Sequence, residues 1–345
     1  LTQPSRRRRG VTIIDVARHA GVSPMSVSRV INGDGGVRDE TRAIVNASIR
    51  ALNYTPNLMA RSLVTSREIR IGVIYSNPSA AFMGDFLAGV FEEASARAAQ
   101  LILLKGQDGG VPDEAAVAGL IAARIGGVIL APPLGEMERV RAMLGEARLP
   151  VAVVGATVAD AISVGIDDHR AARDMTRHLI AMGHRRIGFV VGNPEQQASA
   201  ARLDGFRAAV AEAGDVEARI AQGDFSYASG LVAGERLLDT AHPPSAIFAS
   251  NDDMAAAVVS VAHRRHLDVP GDLTVTGFDD TTAAITLWPP LTTIRQPVQQ
   301  LAAEALQLLI REMRTGQPLP AAERSRVLDH VLVERDSTAA PAPRS

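Results

Sequence analysis

Three polar clusters in this 345-residue chain directly follow short apolar runs, Asn251-Asp252-Asp253 after SAIFAS, Asp279-Asp280 after TVTGF and Asp167-Asp168 after SVGI, and Arg202 opens a helix after VVGNPEQQASA. Apolar runs of that length read as strands, and open α/β sheets bind ligands at the carboxyl ends of their strands. Asn, Asp and Arg brought together there offer both donors and acceptors to a polar ligand. Each acid has a competing role, because Asp and Asn are favoured helix N-caps. We assign the capping roles to Asp252 and Asp168, which leaves Asn251, Asp279 and Arg202 to point inward.

A second chemistry lies near the amino terminus. Residues 11–53 read as three short helices. Thr12 and Asp15 have capping-box spacing, and Gly21 ends the first helix at a tight turn. Ser23 caps a second helix that has Pro24 at its first position, with Val27, Val30 and Ile31 on its buried side. The other side shows Met25, Ser26, Ser28, Arg29 and Asn32, the kind of face a helix lays in the DNA major groove. Arg29 can fork onto guanine O6 and N7, while Ser23, Ser28 and Asn32 can bond phosphates. A third helix begins near Asp39 and offers Ile44, Val45, Ala47, Ile49 and Leu52 for packing.

Charge follows the same division. Residues 1–66 hold ten Arg and four acids, a net +6, so the rest carries −8 for the chain to total −2. A small basic head on an acidic body is the footprint of a module that meets a polyanion. The absence of cysteine excludes disulfides, thiolate metal sites and a cysteine nucleophile. The eight His are scattered, with only His263 and His266 close on one helix face, so no metal site and no cofactor is expected. No apolar run has membrane-spanning length and no secretory signal pattern opens the sequence, so a cytoplasmic, nucleoid-associated protein is expected.

The elements that must position these residues follow from the pattern. Residues 54–68 form a short apolar helix around Leu58, Met59, Leu63 and Val64, too apolar to stay uncovered. From Ile69 onward strands alternate with amphipathic helices, for example Ile69–Tyr75, Gly127–Ala131 and Thr292–Arg295 among the strands and Phe82–Ala99, Ala201–Ala213 and Val298–Thr315 among the helices. This βα alternation implies parallel sheets with helices on both faces. The number of strands exceeds one comfortable sheet, so two similar lobes with a cleft between them are expected.

The head VTIIDVARHAGVSPMSVSRVING, the linker LNYTPNLMARSL and the body segments GHRRIGFVVG, ARLDGF, FASNDDMA, VTGFDD and PPLTTIRQ together resemble the LacI/GalR family of bacterial transcription regulators in order and spacing. The resemblance spans about residues 11–335. It implies an all-α helix-turn-helix head, a hinge helix and an α/β two-lobed body like the periplasmic binding proteins. The implied domains are a basic disordered arm (1–10), the DNA-binding head (11–55), the hinge helix and linker (56–68), an effector-binding and dimerisation body (69–335) and a disordered tail (336–345). Within the body, lobe 1 is expected over about 69–162 and 291–325, and lobe 2 over about 163–290 and 326–335.

Carried over residue by residue, the resemblance assigns DNA contacts to Thr12, Ser23, Ser28, Arg29, Asn32, Thr41, Asn57 and Leu63, with Leu63 as a minor-groove wedge. Pro24, Met25 and Ser26 complete the DNA-facing set at the start of the second helix. Effector contacts fall on Phe82, Arg202, Phe225, Asn251, Asp279 and Gln296. Arg, Asn and Asp beside an aromatic plate at Phe225 suit vicinal hydroxyls and an apolar sugar face. The sequence departs from the family pattern at Pro24-Met25 and at Arg38, where a capping serine is usual, so Asp39 is expected to cap the third helix.

The resulting expectation is a repressor of carbohydrate-utilisation genes, not an enzyme. It binds double-stranded operator DNA and is released by a mono- or oligosaccharide, as a homodimer with a tetramer as the alternative and no membrane partner. Rival readings are a corepressor-dependent regulator, for example one tightened by a purine or sugar phosphate, and a solute-binding protein sharing the two-lobed body. An α/β enzyme is a third. No G-x-S-x-G, G-x-x-x-x-G-K-[ST] or H-E-x-x-H pattern supports catalysis.

Overall fold

A computed structural model describes residues 11–32, 37–52, 54, 69–106 and 110–341. The arm 1–10 and the hinge helix 56–68, including Asn57 and Leu63, lie outside the described residues, as does the side chain of Asn32. The chain divides into a head, residues 1–68, and a body, residues 69–345.

The head folds through α1 (Ile13–Ala20), α2 (Pro24–Asn32) and α3 (Asp39–Ala51). Thr12 and Asp15 close a reciprocal capping box: Thr12 N–H donates to Asp15 Oδ2 at 2.9 Å, and Asp15 N–H to Thr12 Oγ1 at 3.4 Å. Gly21 ends α1 in the left-handed region at φ 66°, a conformation that needs glycine. Val16, Ala17, Val27, Val30 and Val45 form the small core. Ile44 and Ala47 are exposed, contrary to the packing role expected of them, because Val45 and Ser48 take the inward face of α3. Buried Ser48 instead hydrogen-bonds His19 Nδ1 on α1 at 3.0 Å. Asp39 does not cap α3: the N-cap position is Arg38, which makes no side-chain capping bond, and Asp39 is already helical.

The body continues with β1 (Arg70–Tyr75), α4 (Ala80–Ala96), β2 (Gln100–Lys105), α5 (Glu114–Ala122), β3 (Gly127–Leu130), α6 (Glu138–Glu146), β4 (Val151–Val154) and β5 (Ile162–Ile166). Next come α7 (Asp168–Ala181), β6 (Arg186–Val191), α8 (Gln197–Ala213), β7 (Glu217–Gln222), α9 (Tyr227–Leu238), β8 (Ala246–Ala249), α10 (Asp252–Arg264), β9 (Thr274–Asp279) and α11 (Thr282–Thr286). The chain closes with β10 (Thr292–Arg295), α12 (Val298–Thr315), α13 (Ala321–Arg324), β11 (Ser325–Leu328) and β12 (Val331–Val333).

Two six-stranded sheets result, ordered β11-β5-β4-β3-β1-β2 and β12-β10-β9-β8-β6-β7. Every pairing is parallel except β10 with β12. Helix α12 shows why helices cover both sheets: Val298, Leu301, Ala302, Ala305, Leu306 and Leu309 recur at helical spacing and are buried against the first sheet. Among the described residues, no helix is long and apolar enough to cross a membrane.

The chain passes between lobes three times, at Asp167, at Gln296-Pro297 and at Asp329-His330. Three lobe assignments made from sequence therefore change. Strand β5 pairs with β4 in the first sheet, whereas lobe 2 was expected to begin at 163. Strand β10 pairs with β9 in the second sheet, whereas it was expected in lobe 1, because the crossing follows the strand instead of preceding it. Strand β11 also belongs to the first sheet, so the last crossing falls after 328 and not at 326.

The tail is ordered through Pro341, against the disorder expected from its Ala/Pro content. Ser337 is fully buried, with its carbonyl accepting from Val275 N–H at 3.0 Å and its hydroxyl accepting from Thr292 N–H at 2.9 Å. Ala339 exchanges hydrogen bonds with the Thr274 hydroxyl and its carbonyl lies 3.0 Å from His184 Nε2. Backbone groups near β9 supply partners that composition cannot reveal.

Candidate functional site

In the head, Met25, Ser28 and Arg29 follow helical spacing on the side of α2 opposite buried Val27 and Val30. Met25 is 67% exposed and Arg29 is exposed. The α2 start is fixed by Ser23, whose hydroxyl accepts from Ser26 N–H at 3.1 Å and lies 3.0 Å from Ser26 Oγ. Pro24 takes the first helical position, where a missing N–H costs nothing. Thr12 is the α1 cap, and Thr41 lies half-buried in the first turn of α3. This arrangement leaves one face of α2 free to meet a polyanion.

In the body, all six residues assigned to effector contact line one cavity between the lobes. Phe82 comes from α4, Arg202 from α8, Phe225 from the β7–α9 turn, Asn251 from the end of β8, Asp279 from the end of β9 and Gln296 from the second crossing. The space between atoms there is about 500 Å³, open solvent at its mouth included.

Arg202 organises its floor. Its guanidinium lies 3.6 Å from the Phe278 ring centroid and 5.7 Å from that of Phe225, donates to Asp168 Oδ1 at 2.7 Å and to the Ser250 carbonyl at 2.5 Å. The planar cation thus combines ring stacking with a charge-assisted bond, a geometry lysine does not reproduce. Burial pushes the Asp168 carboxyl up, and the Arg202 charge pulls it back. Burial likewise lifts Asp279 well above the carboxylate range, opposed first by Arg202, and Gln296 Nε2 donates to its Oδ1 at 2.5 Å.

The capping assignments are reversed. Asn251, expected to be free, is the α10 N-cap: its Oδ1 accepts from Met254 N–H and its Nδ2 donates to the Phe225 carbonyl, both at 2.9 Å. It holds the plate as well as lining the cavity. Asp252 is buried beneath, accepting from Thr281 N–H at 2.7 Å and the Thr293 hydroxyl at 2.7 Å. Asp167 caps α7 through Arg170 N–H at 2.9 Å, which releases Asp168 to the site. In each Asx pair the residue nearer the strand caps and the next, already helical, turns inward.

Asp168, expected only as a cap, also lines the cavity, as do Asn77, Ser79 and Gln196, which were not among the sequence candidates. Asn77 follows β1 just as Asn251 follows β8, so the strand-end rule applied at β1 finds it. Its Nδ2 donates to the Pro132 carbonyl at 3.2 Å, and its Oδ1 accepts from Ser79 N–H at 2.8 Å. Gln196 gave no such signal: it precedes α8 without capping it, and its buried Nε2 has no acceptor.

A basic-sided three-helix head and a two-lobed parallel α/β body with an interlobe cavity define a ligand-responsive DNA-binding regulator. The family profile "Bacterial regulatory proteins, lacI family" matches residues 12–57, and "Periplasmic binding protein-like domain" matches residues 176–338. The transcriptional regulator CelR of Thermobifida fusca is 36% identical over 315 residues, covering 88% of this chain and 92% of that protein. Among solved structures, a CelR–cellobiose complex is similar at a TM-score of 0.70 with 31% identity, covering 95% of this chain and 99% of that one. The lac repressor dimer bound to operator and the anti-inducer ONPF is similar at 0.69 with 27% identity, covering 96% and 100%. The chain belongs to the LacI family of bacterial transcription regulators.

Proposed function

We propose that this protein represses carbohydrate-utilisation genes by binding operator DNA through α2 and is released when a neutral mono- or oligosaccharide enters the interlobe cavity. The observation that carries the sugar assignment is the Arg202 guanidinium held against Phe278 and Asp168 in a cavity walled by Phe82 and Phe225. Among the described residues the cation lining it is Arg202, already bonded to Asp168 and the Ser250 carbonyl, so a phosphate or carboxylate ligand meets no uncommitted positive charge. Hydroxyls can donate to the carboxyls and accept from Gln196 Nε2. A relative supports the same class, since CelR is a regulator captured in complex with cellobiose.

The domain division follows: a DNA-reading head ending near 55, a hinge over 56–68 and an effector-binding body from 69. In this reading Thr12, Ser23, Pro24, Met25, Ser26, Ser28, Arg29, Asn32, Thr41, Asn57 and Leu63 meet DNA, and the protein acts in the cytoplasm on the nucleoid. It acts as a homodimer, since Trp288 is 78% exposed and neighbouring Ile285 59%, an apolar pair that a second copy would cover. Isothermal titration of the full chain with cellobiose, glucose, glucose 6-phosphate and hypoxanthine tests the ligand class. A neutral saccharide should bind with micromolar to millimolar affinity; binding by the phosphate or purine alone would favour the corepressor reading.

A further inference from the structure

One residue of lobe 2 makes three hydrogen bonds to lobe 1. Gln197, the first residue of α8, donates its N–H to Glu136 Oε2 at 2.6 Å. Its side chain accepts from Thr157 N–H at 3.2 Å and donates to the Thr157 carbonyl at 3.3 Å. Glu136 lies between β3 and α6, and Thr157 between β4 and β5, so two separate loops of lobe 1 are gripped. The flanking residues Gln196 and Ala198 line the cavity, which puts these bonds at its rim.

We infer that Glu136 and Gln197 form a clasp that holds the two lobes closed over the cavity, acting as positioning residues for its occupant. Helix α8 has no side-chain cap of its own, because Gln196 makes no capping bond. An acceptor for its first turn therefore comes from the opposite lobe. Parting the lobes leaves that helix end to solvent and removes all three bonds together.

The clasp also senses protons. Burial raises Glu136 from its ordinary 4.5 to about 7; the bond from Gln197 N–H opposes the rise, Asp168 at the start of α7 adds to it, and Arg141 on α6 opposes it. With the lobes parted, Glu136 is solvated and titrates near its ordinary value. A group whose pKa is raised on closure favours closure fully below that ordinary value and loses the contribution as pH rises through 7. Glu136 is only partly buried, so the closed-to-open ratio should fall by several-fold, up to about tenfold, between pH 6 and 8.

The test does not depend on what the cavity binds. The chain has no cysteine, so Glu146→Cys on α6 and Arg207→Cys on α8, both exposed, take spin labels at those positions alone. Pulsed electron paramagnetic resonance on the full chain, diluted with unlabelled chain, reads the interlobe distance at pH 6 and pH 8. The labelled parent should show one short distance at pH 6 and a growing longer component at pH 8. Glu136→Gln, whose amide oxygen accepts the same bond without titrating, should keep the short distance at both. Gln197→Ala should show the longer component at both, with circular dichroism confirming that it is folded. A parent distribution that ignores pH, or one unchanged by Gln197→Ala, overturns the clasp.

Discussion

Arg202 and Asp168 face each other at 2.7 Å, the first on α8 in lobe 2 and the second one residue beyond the point where the chain first crosses between lobes. Both side chains are almost wholly buried. The pair therefore joins the cavity floor to a crossing segment, which is where an occupant could bias lobe movement.

Removing one partner should be costly. Arg202→Ala leaves Asp168 buried and unpaired, and a loss of about 3–5 kcal/mol is expected in urea unfolding at pH 7. Because burial already raises the Asp168 pKa, the loss should shrink in acid as that carboxyl takes up a proton. Arg202→Lys should fold nearly as well as the parent but lose saccharide binding by tenfold or more, since an ammonium neither stacks nor forks. A lysine variant with parental affinity in calorimetry would remove Arg202 from the binding account.

Asp252 gives a pH test of stability. Burial pushes it up to about 7, so its contribution is fully present below the ordinary value of 3.8 and fades as pH rises through 7. Asp252→Asn should keep bonds to Thr281 N–H and the Thr293 hydroxyl without titrating. It should therefore gain about 2 kcal/mol relative to the parent between pH 5 and pH 8. Parallel stability curves for the two proteins would show that Asp252 is ionised throughout.

Phe225 is placed by a glycine. A Cβ on Gly192 would collide with the Phe225 ring, and the ring cannot easily withdraw, because Phe225 sits at φ 73° with its carbonyl held by Asn251. Gly192→Ala should cut saccharide affinity at least tenfold while leaving DNA binding without sugar unchanged. Equal affinity in titration would mean that the plate is dispensable.

The tail predicts a coupled loss. Deleting residues 337–345 removes the Ser337 and Ala339 bonds and should lower unfolding stability by about 3 kcal/mol. It should also free His184, whose pKa burial depresses in the intact chain. A depressed histidine contributes stability above its ordinary 6.5 that is lost as pH falls below it. The parent should thus weaken between pH 7 and 5 more steeply than the truncated chain, as read by thermal melts at each pH.

The sequence made much of this legible. Helix α12 was expected at its observed bounds, and the head helices follow from the capping box, Gly21 and Pro24. Strand β7, EARIAQ, was hidden because it is a solvent-facing edge with little apolar content, and β11 and β12 because each is short and pairs only at a sheet edge. The six cavity residues were found at strand ends and through family resemblance. Their individual roles were not, since Asn251 and Asp252, or Asp167 and Asp168, are equally good caps until distant partners such as Thr293 and Arg202 are in place.

The most direct test is to capture fragments of the source genome on the purified full chain at moderate salt, sequence them, and repeat the capture with a series of neutral saccharides that includes cellobiose. The account predicts enrichment of a palindrome beside sugar-transport or glycoside-hydrolase genes, its loss with one saccharide, and no enrichment by Arg29→Ala although that variant still binds the saccharide. Failure of any sequence to enrich, with or without sugars, would contradict it.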